Sequence, residues 1–532
     1  MPERSVAATL VRELGRAGVR RMFGVPGGGS SLDLIQAGAD QGVDFVLART
    51  ETAAAIMATA TAELTGAPGV VLTGLGPGAA AVTNGVAQAR LDRAPLVVIT
   101  DAYPPAYGAF VTHQRLDHGA LFAPLVKGSL APTGATVPGQ LRALLDAALQ
   151  PPRGPVHVDL SSVAAGATMA AGDLIEREPT APTGPWQVEH GRALLAAAKR
   201  PALLVGLEAR GAAAAARALA AELGGPALTT WKAKGVIADD DPWFVGLVAG
   251  GAAEAACLAE ADLIVQFGFD PVELIAQPWR YLAPIIDLAE AARDAHYARP
   301  AASLIGPLAQ GAAALAGVAR RSAWTASAIR AHRERMRAAH AMAPSAAIGP
   351  QDVVEAAVAA APAGCRATID AGAHMFAVIA RWPAPAPNAV LISNGLATMG
   401  FALPAAIASA LAEPARPVVA FVGDGGLAMS LGELATAAEW RCRIVIVVFN
   451  DAALSLIDLK QAGRNLERRG CPTAPVDFAA AARAFGLQAE RIEARAELRP
   501  ALDRVFAQDG PCLLDVRVDP RGYPALLEAL RG

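Results

Sequence analysis

Short apolar runs recur along the chain, each closed by a glycine-rich or acidic turn and followed by a stretch with helical spacing. In the first part, Arg21–Val25, Asp44–Ala48, Val70–Thr73, Leu96–Thr100 and Pro155–Leu160 predict strands, and Ser5–Gly18 and Thr50–Thr65 predict helices. Ser30 and Ser31, after Pro26-Gly27-Gly28-Gly29, could cap the next helix. Residues 166–185, rich in Ala, Gly, Thr and Pro, read as a linker. A second set of strands follows at Pro201–Val205, Ala227–Thr230, Leu263–Phe267 and Pro284–Asp287, with helices at Gly211–Leu223 and Ala309–Ala343 and a break at Pro344–Pro350. The third set is Ala367–Ile369, Val390–Ile392, Val418–Val422, Ile444–Phe449 and Cys512–Val516. Strands that alternate with helices predict parallel sheets covered on both faces. The expectation is α/β: three open doubly wound domains with mostly parallel sheets, at 1–165, 186–320 and 346–532. The first and third are alike in length and alternation.

Composition narrows this picture. A chain of 532 residues suits three domains, and 53% hydrophobic content with only 5% aromatics implies cores of small and branched aliphatics. A net charge of −3 without a basic patch argues against nucleic acid and against an anionic membrane surface. No apolar run reaches the ~20 residues of a membrane span. The first residues include Glu3, Arg4, Arg12, Glu13, Arg16 and Arg20, unlike a signal peptide. The five cysteines are scattered and lack metal spacing, which points to a reduced cytoplasmic setting.

Candidate chemistry concentrates in Val422–Asp451. An apolar run ends at Gly423-Asp424-Gly425-Gly426, and a second, Ile444–Phe449, ends at Asn450-Asp451. In a strand, glycine turn, helix, strand unit, parallel strands put Asp424 and Asp451 at one sheet edge, where they can share a hard cation such as Mg²⁺. The glycines allow backbone N–H groups to approach a phosphate. Residue chemistry alone therefore offers a diphosphate bridged by a divalent metal, or an ordinary βαβ unit with two acids at its strand ends.

The Gly-Asp-Gly and later Asn-Asp pair resembles the signature of thiamine-diphosphate enzymes, which ends in Asn-Asn. The resemblance is strongest to acetolactate synthase and its relatives and runs through nearly the whole chain. It is carried by Val19–Gly27, by Arg49-Thr50-Glu51-Thr52-Ala53-Ala54 through Gly66, by Gly74–Gly78, Asn84–Ala87 and Ala94–Leu96, and by Ser393–Ala408, Asp477–Phe485 and Gly510–Leu513. It implies pyrimidine-binding, central and diphosphate-binding domains. Asp424, Asp451 and the carbonyl of Ala453 would ligate Mg²⁺. Gly425, Gly426 and Leu427 would offer amides to the diphosphate, and His374, after Gly372, would donate a hydrogen bond to it. Ala397 and Met399 would hold and bend the cofactor, with Pro26 also at its site. Glu51 would be the buried acid that protonates the aminopyrimidine, in keeping with the apolar run Ala53–Met57. Gln114, His113, Asp117 and Lys127 would face the substrate, and the spacing of Gln114 to Lys127 agrees with acetolactate synthase.

The implied activity is decarboxylation or carboligation of a 2-oxo acid, with an aldehyde or second 2-oxo acid as partner molecule. The implied assembly is a homodimer or homotetramer whose active sites combine Glu51 of one subunit with the metal site of the next. The chain departs from acetolactate synthase at Gly268–Glu273, where the flavin-touching arginines are missing, and at Lys460, which replaces a Trp. These departures argue against acetolactate formation and against bound FAD. A 2-hydroxyacyl-CoA lyase, a C–C hydrolase, a non-catalytic regulatory relative and a dinucleotide-binding oxidoreductase remain alternatives.

Overall fold

Among the described residues, three six-stranded sheets, with every strand pairing inside them parallel, form the framework. The computed structural model describes residues 4–132, 137–169, 184–274, 278–294, 296–342 and 345–531. The first sheet runs in space as Asp44–Leu47, Arg21–Val25, Gly69–Thr73, Leu96–Ala102, Val156–Ser161, Ser129–Leu130. The second runs Phe244–Leu247, Ala227–Thr229, Pro201–Val205, Leu263–Phe267, Ile285–Ala289, Ala302–Ile305. The third runs Val390–Ile392, Arg366–Ile369, Val418–Gly423, Ile444–Asn450, Cys512–Arg517, Gln488–Ile492. Counting strands within each sheet, the first and third share the order 2-1-3-4-6-5, whereas the second is 3-2-1-4-5-6. The expected α/β class is thus the observed one, and the likeness of the first and third parts extends to topology.

The chain gathers into two compact units. One contains residues 1–179, 395–415 and 430–442, and the other 180–394, 416–429 and 443–532. In the first unit, the helix Glu51–Thr65 is buried on nearly every side, with Ala53, Ala54, Ala55, Ala58 and Ala60 all inside. Helices Gly76–Leu91 and Ala402–Ala412 pack against it. Small side chains permit this approach: a Cβ on Gly85 would stand 2.4 Å from the Ala55 methyl. That is the physical use of an alanine-rich, aromatic-poor composition. Central strands are continuous apolar runs because helices cover both faces; Ile444–Asn450 is buried throughout.

Several expectations need correction. The edge strands Ser129–Leu130, Phe244–Leu247, Ala302–Ile305 and Gln488–Ile492 are further elements; the first is two residues long, the last is largely polar, and the other two are four-residue segments interrupted by Gly246 and Ser303, too brief to show a strand period. The helical stretch expected over 309–343 divides into Leu308–Leu315 and Ala326–Ala339, separated by a turn at Gly317 (φ 76°), with Thr325 capping the second helix. Most of the expected linker lies outside the described residues, as does Pro344 of the expected break. The start of that linker, Thr168–Met169, pairs antiparallel with Arg4–Ser5. Ser30 and Ser31 do not cap a helix. They lie inside Ser30–Gln41, and both hydroxyls donate to Asp101 Oδ1, at 2.7 and 2.9 Å. No described helix is long and apolar enough to cross a membrane.

Candidate functional site

In the second unit, the neighbouring strands Val418–Gly423 and Ile444–Asn450 end together, with Gly423 opposite Phe449. No loop follows the first strand, because a helix begins at Asp424 itself. Asp424 Oδ1 accepts from the Gly425 backbone N–H at 2.7 Å, and the amides of Ala452 and Ala453 lie near enough to favour its charged form. Its Oδ2 is buried without a partner. Asp451 accepts from the Ser455 hydroxyl at 2.6 Å and from the Ala453 N–H. Burial, followed by the nearby Asp424 charge, pushes the Asp451 carboxyl up to about 6; burial also raises Asp424. A buried and a half-buried acid side by side, with an unpaired oxygen, form a donor set that fits a hard divalent cation. Arg517, which donates to Asn450 Oδ1 at 2.6 Å, adds positive charge beside both acids, and buried Tyr523 lies within their field. Neither Arg517 nor Tyr523 was singled out from the sequence, since both come from the distant C-terminal segment.

Two expected phosphate donors behave differently. The Gly425 amide is committed to Asp424 Oδ1. His374 is buried, follows Gly372 (φ 151°) and stacks on Phe449 with ring centroids 5.2 Å apart. It bonds to the Phe421 backbone, and its unpaired nitrogen is Nε2, so Nδ1 donates to the Phe421 carbonyl. Burial holds the imidazole down to about 4. In the neutral ring Nε2 is an acceptor, and donating to a phosphate requires a second proton. Gly426 and buried Leu427 lie within the helix Asp424–Ser430.

In the first unit, Glu51 opens its helix, with Thr50 as the N-cap accepting from the Ala53 N–H at 3.1 Å. The residue is half-buried rather than fully enclosed, and its Oε1 stands 3.4 Å from where a Cβ on Gly78 would lie. A residue missed from the sequence positions this end. Buried Glu433 accepts from the N–H groups of Arg49, at 2.8 Å, and Thr50, at 3.1 Å, and from the Thr436 hydroxyl at 2.8 Å. The turn after Pro26 is likewise gathered around Asp101, which receives the Gly29 and Ser31 amides. Both acids are hundreds or tens of residues from what they hold, so no local motif revealed them.

Exposed Gln114 adopts φ 53°, and its carbonyl accepts from the Gly76 N–H at 3.1 Å. The Glu51 carboxyl and the Gln114 backbone therefore both meet the first turn of the helix Gly76–Leu91. His113 is exposed nearby, and Asp117 caps the helix His118–Phe122. Lys127 does not join them within this unit. Its Nζ donates to the Gln150 carbonyl at 2.6 Å, beside Pro155, where the strands begin rather than end. Burial, then Arg90, lowers its ammonium to about 8. Half-buried Met399 is flanked by two left-handed residues, Ala397 (φ 54°) and Gly400 (φ 77°). Its segment is anchored by Asp92, which accepts from the Gly395 N–H at 2.9 Å.

The second sheet reverses strand order between Pro201–Val205 and Leu263–Phe267, the place where an open α/β sheet takes a nucleotide. Here the crevice is filled by its own acids. Buried Glu273 accepts from the Leu207 N–H at 2.8 Å and the Thr230 hydroxyl at 2.5 Å, and burial pushes it up to about 8. A Cβ on Gly206 would lie 2.3 Å from Phe269. Glu208 pairs with Arg293 at 2.7 Å. These residues do not fit the pyrophosphate of FAD.

A fold of three parallel α/β sheets, with paired aspartates at one strand edge and a helix-opening glutamate on another, defines a thiamine-diphosphate enzyme of the acetolactate-synthase-like type, and the chain belongs to that family. The family models for the thiamine pyrophosphate enzyme N-terminal binding domain, central domain and C-terminal binding domain match residues 4–120, 188–315 and 370–516. The chain is 31% identical to the acetolactate synthase isozyme 2 large subunit of Escherichia coli, over 96% of this chain and 95% of that one. It is 28% identical to an acetolactate synthase of Bacillus subtilis, over 94% and 91%. It is 31% identical to a probable 2-ketoarginine decarboxylase of Pseudomonas aeruginosa, over 97% and 95%.

Proposed function

We propose that this enzyme uses Mg²⁺-bound thiamine diphosphate to cleave or form a carbon–carbon bond of a 2-oxo acid, by decarboxylation, carboligation or both. The observation that carries this reading is the unpaired, buried Oδ2 of Asp424 beside Asp451. When bound, the cofactor supplies the carbanion that adds to a carbonyl. The protein's own residues do the rest. Asp424, Asp451 and the Ala453 carbonyl hold the metal. Leu427 and Gly426, with His374 as imidazolium, face the diphosphate, whose negative charge favours the second proton on that ring. Ala397, Met399, Gly372 and Pro26 shape the cofactor's cradle, and Met399 sets its bend. Glu51 holds a proton at the aminopyrimidine nitrogen. Gln114 orients the substrate carbonyl, and His113 moves a proton near it. The domains are proposed at 1–165, 186–320 and 346–532, in a homodimer or homotetramer with Glu51 and the metal site contributed by different subunits. Five free, buried cysteines support a reduced, cytoplasmic setting.

The test supplies thiamine diphosphate and Mg²⁺ with a panel of 2-oxo acids and aldehydes and identifies products by mass. Release of CO₂ with an aldehyde or a hydroxyketone supports the reading. Turnover of no 2-oxo acid, by protein shown to bind the cofactor, removes it.

A further inference from the structure

Within the first unit, below the strand ends that carry Glu51 and Gln114, four polar side chains from three elements meet. Thr100 lies on the strand Leu96–Ala102, directly opposite Asp159 on Val156–Ser161, while His157 is two positions earlier on that strand. His118 opens the helix His118–Phe122. Thr100 Oγ1 stands 2.8 Å from His157 Nε2, 2.9 Å from Asp159 Oδ1 and 3.4 Å from His118 Nδ1. His118 Nδ1 is 2.9 Å from Asp159 Oδ1. The ligand atoms of His118, His157 and Asp159 all fall within 4.8 Å of one another. Thr100 and both histidines are buried, whereas the Asp159 side chain keeps 32% exposure, which leaves a path from solvent.

Proton accounting in the hydrogen-bonded form is strict. Thr100 donates its one proton to Asp159, so His157 must donate from Nε2 to Thr100, and His118 donates from Nδ1 to Asp159. His118 Nε2 and His157 Nδ1 are then left buried and unpaired. Those two nitrogens stay unpaired with or without a metal, so what points to a metal is the convergence of the ligand atoms that face one another.

We propose that this cluster binds one divalent transition metal of the Zn²⁺ type, through His118 Nδ1, His157 Nε2 and Asp159, with Thr100 Oγ1 at the fourth corner. Bonds of about 2.0–2.1 Å to nitrogen and oxygen give a tetrahedron with edges of roughly 3.3 Å, close to the 2.8–3.4 Å separations around Thr100. Two imidazoles and one carboxylate select a borderline ion over Mg²⁺. Ligation asks each imidazole only to move its proton to its far nitrogen, with no change in charge, and the Asp159 carboxylate offsets part of the ion's charge. The metal would fasten the start of the helix His118–Phe122 to the sheet, and with it the preceding segment that carries His113, Gln114 and Asp117. The site shares no residue with the Asp424–Asp451 pair, so it stands or falls apart from the reaction proposed above.

The test uses untagged protein in excess Mg²⁺ with Co²⁺ as the spectroscopic probe, followed by Zn²⁺ competition. The expected result is one Co²⁺ per chain with the intense visible bands of a tetrahedral ion. The bands persist in Asp424→Asn, disappear in His118→Leu and His157→Val, and are abolished by Zn²⁺, which also raises the melting temperature of the wild type and of Asp424→Asn but not of the histidine variants. If either histidine variant is unfolded by circular dichroism, Asp159→Asn takes its place. Wild-type protein that retains no Co²⁺ in excess Mg²⁺, or folded variants that keep the bands, would overturn the proposal.

Discussion

At the scale of single residues, the departure that matters most is Asp451, where the family signature has Asn. Its carboxyl, pushed up to about 6, must lose its proton to ligate a metal. Mg²⁺ affinity is therefore expected to fall by about tenfold per pH unit as pH drops below 6, measured by calorimetric titration between pH 5 and 8. The stability linkage has the matching sign. An aspartate raised above its unfolded value supports the fold most below that value and loses this support as pH rises through about 6. Metal-free protein is thus destabilised by Asp451 at neutral pH, and Mg²⁺ restores the loss. Asp451→Asn should raise the melting temperature of metal-free protein, weaken Mg²⁺ binding and abolish its dependence on pH near 6; an unchanged pH profile would assign that titration elsewhere. Glu51→Gln should lower turnover by on the order of 100-fold or more while leaving cofactor affinity within a few-fold. Equal loss of binding and turnover would make Glu51 a structural residue.

At the scale of elements, the helix Glu51–Thr65 depends on acids supplied from elsewhere in its unit. Glu433 satisfies two amides at its entry, and removing a buried acceptor costs about 1–3 kcal/mol. Glu433→Ala should lower unfolding free energy by that amount in urea titration and reduce kcat through Glu51, whereas Glu433→Gln, which keeps an acceptor oxygen, should recover much of both. The helix and its Thr50 cap were legible from the sequence, because capping is local. The roles of Glu433, Asp101 and Asp92 were not, since each pairs groups far apart in the chain. Ser30 and Ser31 illustrate the same limit: cap-forming residue types are turned instead toward a buried carboxylate.

At the scale of the whole molecule, the proposed sharing of active sites gives a complementation test. Glu51→Gln and Asp424→Asn chains are each expected to be inactive alone. Co-refolded as dimers, they should recover about a quarter of wild-type activity, since half the dimers are mixed and each mixed dimer has one intact site. No recovery despite mixed assembly would place both residues in one subunit's site. Purified protein should carry no flavin absorbance, because the central crevice is occupied by Glu273 and its neighbours. Thiamine diphosphate with Mg²⁺ should raise the melting temperature with increasing concentration, as any ligand of the native state does.

The sequence by itself determined the three-layered alternation, the parallel sheets and the placing of Asp424 and Asp451 at one edge. Apolar periodicity and the handedness of βαβ units leave little choice in these. It also set the Thr50 cap and the alanine-rich helix behind Glu51. Only the tertiary structure decided which nitrogen of His374 is unpaired, that the Gly425 amide is already taken, that Lys127 sits where strands begin, and that His118 and His157 meet around Thr100. Those outcomes depend on distances between side chains remote in the chain, which packing fixes and local pattern does not encode.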